Sequence, residues 1–294
     1  MKNFSAGFVM IMGNPNAGKS TLMNAFLGEK ISIVSPKVQT TRHHIKGIVT
    51  ENNYQIVFSD TPGLLLPKYE LHKSMVEEIN SALEDADLVI PVVSVFENES
   101  DWTNHVELLS GLKKPKLFIL NKVDYYKTEE ELAAGINKWK LFFGIDEMIA
   151  VSALKEINID KLKSRIVEFL PEHPPYFSED ELTDKSQRFI VSEIIREKIF
   201  EQFREEIPYS SEVIVTDFKE ADDIIRIYSS IFVERESQKA ILLGKGGSAI
   251  KKLGIKSREE SEKFLGKKIF LELTVKVKDN WRNDKLVLKQ LGYK

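Results

Sequence analysis

The sequence predicts an α/β domain with a mostly parallel sheet, followed by a smaller α+β domain. Three observations carry this. Short apolar runs alternate with amphipathic ones from Phe8 to Leu170; a proline-rich acidic stretch, LPEHPPYFSEDELTD (Leu170–Asp184), interrupts the pattern; and the order of elements changes after it. Strands alternating with helices at this spacing form βαβ units. A chain of 294 residues suits two domains, each able to bury its own core. The expected boundaries are 1–172 for the first domain, 173–184 for a linker and 185–294 for the second.

In the first domain the strand FVMIM precedes a helix from Lys19, YQIVFSD precedes a helical stretch from His72, and DLVIPVVSVF precedes VELLSGL. KLFILN then precedes EEELAAGINKWKLFF, and MIAVSA precedes IDKLKSRIVEFL. The Glu/Lys run KTEEEL, 127–132, reads as a solvated helix start. After the linker comes a helix from about Lys185 to Glu206 with Ile195, Ile199 and Phe203 on one face, then the strands SEVIVTDF and IIRIYSSIFVE. Two short helices flank GKGG, and a strand begins at Lys268 in which Ile269, Leu271, Leu273, Val275 and Val277 alternate with polar or aromatic residues, a period of two with one buried face.

The chain has no cysteine, so disulfides and thiolate metal sites are excluded, in keeping with a reducing, cytoplasmic setting. The N-terminus runs straight into a glycine loop and lacks the layout of a signal peptide. No apolar run approaches the 20 or so residues that a bilayer requires. The net charge of −3 conceals a split: from Gly244 onward 14 Lys/Arg stand against 6 Asp/Glu, a surplus of +8 that leaves −11 for residues 1–243. A basic end on an acidic body suits an anionic polymer, although a solvated charged face has the same composition.

GNPNAGKST, Gly13 through Thr21, fits the phosphate-loop pattern GxxxxGK(S/T) at a strand-to-helix turn. Gly13, Asn14, Pro15, Asn16, Ala17 and Gly18 form the loop; Lys19 reaches the β- and γ-phosphates, the Ser20 hydroxyl binds Mg²⁺, and Thr21 is counted with them as nucleotide-binding. The loop does not distinguish adenine from guanine. NKVD, with Asn121, Lys122 and Asp124, follows the strand KLFIL, and the Asp124 carboxylate can accept hydrogen bonds from guanine N1–H and its exocyclic amine. Adenine offers no donors there, and a buried carboxylate left unpaired rejects it. In DTPG, Asp60, Thr61, Pro62 and Gly63 are candidate nucleotide-binding residues: Asp60 can hold the magnesium through water, and the Gly63 amide can sense the γ-phosphate. In QTTR, Thr41 is the choice over Thr40 for completing the magnesium shell when the γ-phosphate is present, which makes its loop a switch. In SAL, Ser152, Ala153 and Leu154, the Ala153 amide can face guanine O6.

These motifs resemble those of the translation-factor-related GTPases. The full wording, GNPNAGKSTLMNAFLGEK, SPKVQTTRHH, DTPGLL, NKVD and SAL followed by GKGGSAIKKLGI, is similar over nearly the whole chain to the Era family of bacterial GTPases. The resemblance implies a P-loop GTPase domain using GTP/GDP and Mg²⁺. It further implies binding to the 3′ end of 16S rRNA on the immature 30S subunit, assistance to that subunit's maturation, and at most peripheral contact with the inner membrane. A monomer with no DNA partner is expected.

Leu64 stands where many relatives carry a water-orienting glutamine, so hydrolysis depends on stabilising charge between the β- and γ-phosphates. Asn16, Lys19, Thr41 and Gly63 are the candidate catalytic residues. Asn16 matches the position from which relatives are proposed to seat K⁺; the other reading is that it only shapes the loop.

GKGG, comprising Gly244, Lys245, Gly246 and Gly247, joins two helices without a bulky side chain, so a phosphate backbone can approach its amides. Lys251 and Lys252 add charge, and Ile241 and Ile250 offer an apolar floor for bases. A helix-GxxG-helix between strands is the signature of a KH domain, here in the order of its type II form, clamping about four nucleotides of single strand. Trp281 and Phe270 read as packing residues, and the five histidines show no ligand spacing. The rival functions are a GTPase acting on a different RNA, an ATP-using P-loop kinase, and an RNA chaperone that binds nucleotide only for stability.

Overall fold

The computed structural model describes residues 4–35, 37, 40–64 and 67–293. Pro36, Val38, Gln39 and Leu65 of the motifs quoted above lie outside the described residues. The chain divides into two compact units: Met1–Ser32, Thr41–Leu66 and Met75–Asp184 form the first, and Ile33–Thr40, Pro67–Ser74 and Lys185–Lys294 the second.

The first unit is built in the order β1 (Ser5–Met12), α1 (Lys19–Leu27), β2 (Ile45–Glu51), β3 (Tyr54–Asp60), α2 (Glu70–Asp85, whose first residues fall in the second unit), β4 (Leu88–Ser94), α3 (Thr103–Gly111), β5 (Ile119–Asn121), α4 (Glu129–Phe143), β6 (Ile149–Ala150) and α5 (Ile159–Val167). The sheet order is β2-β3-β1-β4-β5-β6. All neighbours are parallel except β2, which runs antiparallel to β3 at one edge. β3 and β4 are buried along their whole length, as strands covered on both faces must be. This sheet places the C-terminal ends of β1, β3, β5 and β6 together, and the loops that leave those ends carry the motifs.

The sequence pattern does not reveal β2. Its alternation is interrupted by Gly47, a residue that strands ordinarily avoid. The fold explains it: a Cβ on Gly47 would lie 2.9 Å from Met23 Sδ and Leu27 Cδ1, so the strand carries glycine where α1 packs on it. The start of α4 matches expectation, with the Thr128 hydroxyl capping it by accepting from Glu131 N.

The stretch read as a linker is bonded into the first unit. Gln55, fully buried, accepts from Tyr176 N and Phe177 N at 2.7 and 3.0 Å and donates to Phe177 O at 2.9 Å. Further along, Ile48 N donates to Leu182 O, Lys46 N donates to Asp184 Oδ1, and Thr183 bridges Gly47. Proline removes donors and disfavours helix, but nothing in it prevents a chain from lying along a strand edge.

The second unit follows as α6 (Gln187–Gln202), α7 (Ile207–Ser210), β7 (Glu212–Glu220), β8 (Ile225–Val233), α8 (Glu236–Leu243), α9 (Ser248–Leu265), β9 (Ile269–Val277) and α10 (Lys285–Gln290). β8 is central, antiparallel to β7 and parallel to β9. A parallel pair needs a crossover, and α8–GKGG–α9 supplies it. The second of its helices is 18 residues long rather than short. The alternating face of β9 packs with Val191, Ile195 and Ile199 of α6 and with Leu242 and Leu253. Trp281 is fully buried and donates to Ser210 O, but Phe270 is 44% exposed on the opposite face of β9, so its packing assignment fails. The segments 33–40 and 67–74 join this unit through named bonds. Val34 N donates to Glu197 Oε1 at 3.0 Å, and the Lys37 ammonium donates to the Phe200 and Phe203 carbonyls at the end of α6. The Arg282 guanidinium lies 5.0 Å from the Tyr69 ring centroid.

Candidate active site and nucleic-acid interface

The phosphate loop is set by residues that must be small or left-handed. A Cβ on Gly13 would meet Val92 O at 2.5 Å, and one on Gly18, where φ is 98°, would meet Asn121 Nδ2 at 2.3 Å. Asn16 also has positive φ, 65°. Lys19 is buried, and its ammonium donates to Gly13 O at 3.0 Å and Asn14 O at 2.9 Å. Burial pulls its pKa down to about 8, against the opposing pull of the Asp60 and Glu97 carboxylates. Pro15 lies against Gly63, where a Cβ would come within 2.8 Å of Pro15 N, and Leu64 N donates to Gly13 O at 3.2 Å. DTPG therefore abuts the loop whose γ-phosphate it is expected to sense.

Ser20 and Thr41, 21 positions apart, meet with their hydroxyl oxygens 2.9 Å from each other. Asp60, at the end of β3, and Thr61 are both buried, and the Asp60 carboxylate acts electrostatically on the Lys19 ammonium. Two hydroxyls and a carboxylate beside a phosphate loop are hard oxygen donors of the kind that Mg²⁺ takes, so the residues fit that ion. Leu64 packs against the core cluster that contains Met12, Val93 and Leu120, so its side chain is apolar in setting as well as in type.

Asn121 is the brace of the base-recognition side. Its Nδ2 donates to Ala17 O at 2.9 Å, while its Oδ1 accepts from Ala153 N at 3.0 Å and from Lys122 N at 2.8 Å. The Ala153 amide, expected to face guanine O6, is thus directed at Asn121, and a base would have to share that hydrogen. Ser152 Oγ donates to Asp124 Oδ1 at 2.6 Å and so orients the carboxylate expected to read guanine. Leu154 is 69% exposed. Lys122 extends from the NKVD turn to Asn16 O, a distance of 2.6 Å. The sequence reading misses two groups: Glu97, whose Oε2 accepts from Trp102 Nε1 at 2.7 Å, and the Asp101 carbonyl, which receives Asn14 Nδ2 at 3.3 Å. Burial raises the Glu97 pKa, and neither residue belongs to a motif with fixed spacing.

In the second unit Gly244, Gly246 and Gly247 all have positive φ, 70°, 59° and 77°. At Gly244 a Cβ would also meet the Ala249 Cβ at 2.7 Å. Beside this turn lies a groove of about 360 Å³ between α9 and β9, lined by the apolar Ile250, Gly254, Ile255, Leu271 and Leu273 together with the charged Lys251, Arg258 and Glu272. Ile250 and Lys251 line this groove, whereas Ile241, half exposed on α8, and the exposed Lys252 are not among its lining residues. An apolar floor edged by a lysine beside amides free of side chains can receive bases and phosphates of a single strand. Among the described residues no cluster of three or more His, Asp or Glu that could hold a metal ion is found, and no helix is long and apolar enough to cross a membrane.

Residues 8–122 match the family described as 50S ribosome-binding GTPase, and residues 206–282 match the KH domain. GTPase Era of Caldicellulosiruptor saccharolyticus is 44% identical over 99% of this chain and 98% of its own; GTPase Era of Clostridium botulinum is 42% identical over 99% of both. A crystal structure of Era in complex with MgGDPNP and nucleotides 1506–1542 of 16S ribosomal RNA matches with a TM-score of 0.93 and 37% identity over 99% of both chains. A variant of Aquifex aeolicus Era bound to GDP.AlF4⁻ matches with a TM-score of 0.94 at the same identity and coverage. With the phosphate loop, the NKVD brace and the KH crossover all present in one continuous chain of this length, the protein belongs to the Era family of GTPases.

Proposed function

We propose that this chain is a GTP-hydrolysing switch that binds 16S rRNA near its 3′ end and assists maturation of the small ribosomal subunit, acting as a monomer in the cytoplasm. The observation that carries the reading is that its phosphate loop with NKVD and its GKGG crossover occur in one fold. That fold overlays, over 99% of its length, an Era bound to both MgGDPNP and 16S rRNA.

In this reading Gly13 to Thr21 hold the phosphates, and the Lys19 ammonium, drawn from its two carbonyl partners, neutralises the β- and γ-oxygens. Ser20 and Thr41, with Asp60 through water, hold Mg²⁺, which when bound neutralises charge on those same oxygens. The Gly63 amide donates to the γ-phosphate, and Asp124, oriented by Ser152, selects guanine over adenine. Leu64 offers no group to orient water, so the catalytic weight falls on charge stabilisation by Lys19 and the loop amides. Asn16, in its left-handed conformation on that loop, is the residue proposed to hold K⁺. The groove beside GKGG, with Ile250 and Lys251, holds single-stranded RNA, and Lys245, Lys252 and Ile241 extend the contact.

Binding of an RNA spanning the 3′ end of 16S rRNA, measured by fluorescence anisotropy with the protein in GTP-analogue and GDP forms, tests the switch. Tighter binding in the GTP-analogue form is expected by reciprocity of the two ligands. Identical affinities defeat the coupling, and equal competition by ATP and GTP defeats the guanine reading. Equal GTP turnover in K⁺ and Na⁺ for both wild type and Asn16→Ala removes the K⁺ role.

A further inference from the structure

The loop that follows β4 carries a large apolar side chain where nothing in the motif chemistry asks for one. Phe96 is 59% exposed, and its loop is pinned from within. Glu97 N donates to Ser94 O, Glu97 Oε2 accepts from both Ser94 N and Trp102 Nε1, Asn98 N donates to Asp101 Oδ2, and Asp101 N donates to Asn98 O. Trp102 itself is fully buried in the core. An exposed phenyl ring on a loop held this firmly points in a set direction, and that direction is toward Lys122. The Lys122 ammonium lies 5.5 Å from the Phe96 ring centroid, within cation–π range. Phe96 also makes an edge-type contact with Tyr125, at 4.7 Å and 74°.

Lys122 is not an ordinary surface lysine. It has positive φ, 65°, and its side chain crosses from the NKVD turn to Asn16 O. A nucleotide that reaches from Asp124 to the phosphate loop must pass along that methylene stem, so the stem's direction matters to whatever lies there. Its ammonium meets both the Asn16 carbonyl and the Phe96 ring, and these contacts hold the stem's far end. Asp124 and Glu97 are the acidic groups that face it electrostatically.

We infer that Phe96 is a positioning residue for guanine nucleotide: its ring holds Lys122 across the site and thereby slows nucleotide release. This rests on the GTPase reading above. It concerns release rather than chemistry: the ring's named partners are Lys122 and Tyr125.

The test is the release rate of a fluorescent GDP derivative from the full-length protein. Phe96→Ala is expected to speed release about two- to fivefold, the range of an exposed cation–π contact. Phe96→Trp is expected to restore slow release. Lys122→Met keeps most of the stem and removes the charge; in that background Phe96→Ala is expected to have no further effect. Unchanged release in Phe96→Ala, with wild type binding GDP normally, overturns the inference. So does an equal acceleration in the Lys122→Met background, since the contact is then not the route. Failure of wild type to bind guanine nucleotide defeats the underlying reading instead, so the two failures are distinguishable.

Discussion

Replacing Asn121 by alanine probes the join between the phosphate loop and the base-recognition turn. The side chain is 1% exposed and makes three hydrogen bonds, two of them fully buried: to Ala17 O and from Ala153 N. Alanine leaves both of those backbone groups without their partner. At about 1–3 kcal/mol for each buried group left unsatisfied, with some relief from water entering at the Lys122 side, the expected loss is about 3 kcal/mol. Urea unfolding monitored by tryptophan fluorescence measures it, in a Trp281→Phe background. The signal then comes from Trp102 and Trp139, both in the core of the first unit. Guanine nucleotide binding is expected to weaken at least about tenfold in parallel, because Ala17 and Ala153 lose their common anchor. A loss below about 1 kcal/mol would refute the reasoning, since it would mean that the two backbone groups find other partners.

Ser152→Ala removes the 2.6 Å bond that orients Asp124. Titration calorimetry is expected to show GTP affinity reduced by about 10- to 100-fold, the size of one hydrogen bond to a charged group, with the preference over ATP retained. Gly244→Ala is expected to lower the melting temperature more than Gly246→Ala. Both carry positive φ, but only at Gly244 does the added Cβ meet Ala249, whereas nothing lies within 4 Å at Gly246; equal melting refutes this. Glu193→Ala strands the fully buried Arg196, whose Nε and Nη2 it receives at 2.8 and 2.6 Å, and is expected to cost about 3–5 kcal/mol. Combining Glu193→Leu with Arg196→Met is expected to recover most of that loss in the same unfolding measurement. Lys37→Ala takes a cation from the carbonyls that end α6 and leaves Thr41 in place, so the difference in RNA affinity between GTP and GDP forms is expected to shrink. An unchanged difference shows that the 33–40 segment plays no part in coupling.

What was legible in the sequence was whatever lies within a few consecutive residues. The phosphate loop, DTPG, NKVD, SAL and GKGG each act through neighbouring backbone, so their spacing alone carries their geometry. The alternation in β9 likewise declared its buried face. The chemistry that links these pieces was not legible, because it joins residues far apart in the chain. Asn121 meets Ala17 across 104 positions and Asn14 meets Asp101 across 87. β2 stayed hidden because Gly47 makes room for α1, and the stretch 173–184 reads as a free connector because Gln55, which binds it, lies more than a hundred residues earlier. Local pattern determined that this chain carries a phosphate loop, an NKVD turn and a GxxG crossover. Only the tertiary structure decided that Ala153 turns toward Asn121, that Ser20 meets Thr41, and that Phe96 faces Lys122, since each depends on which backbones the sheet brings side by side.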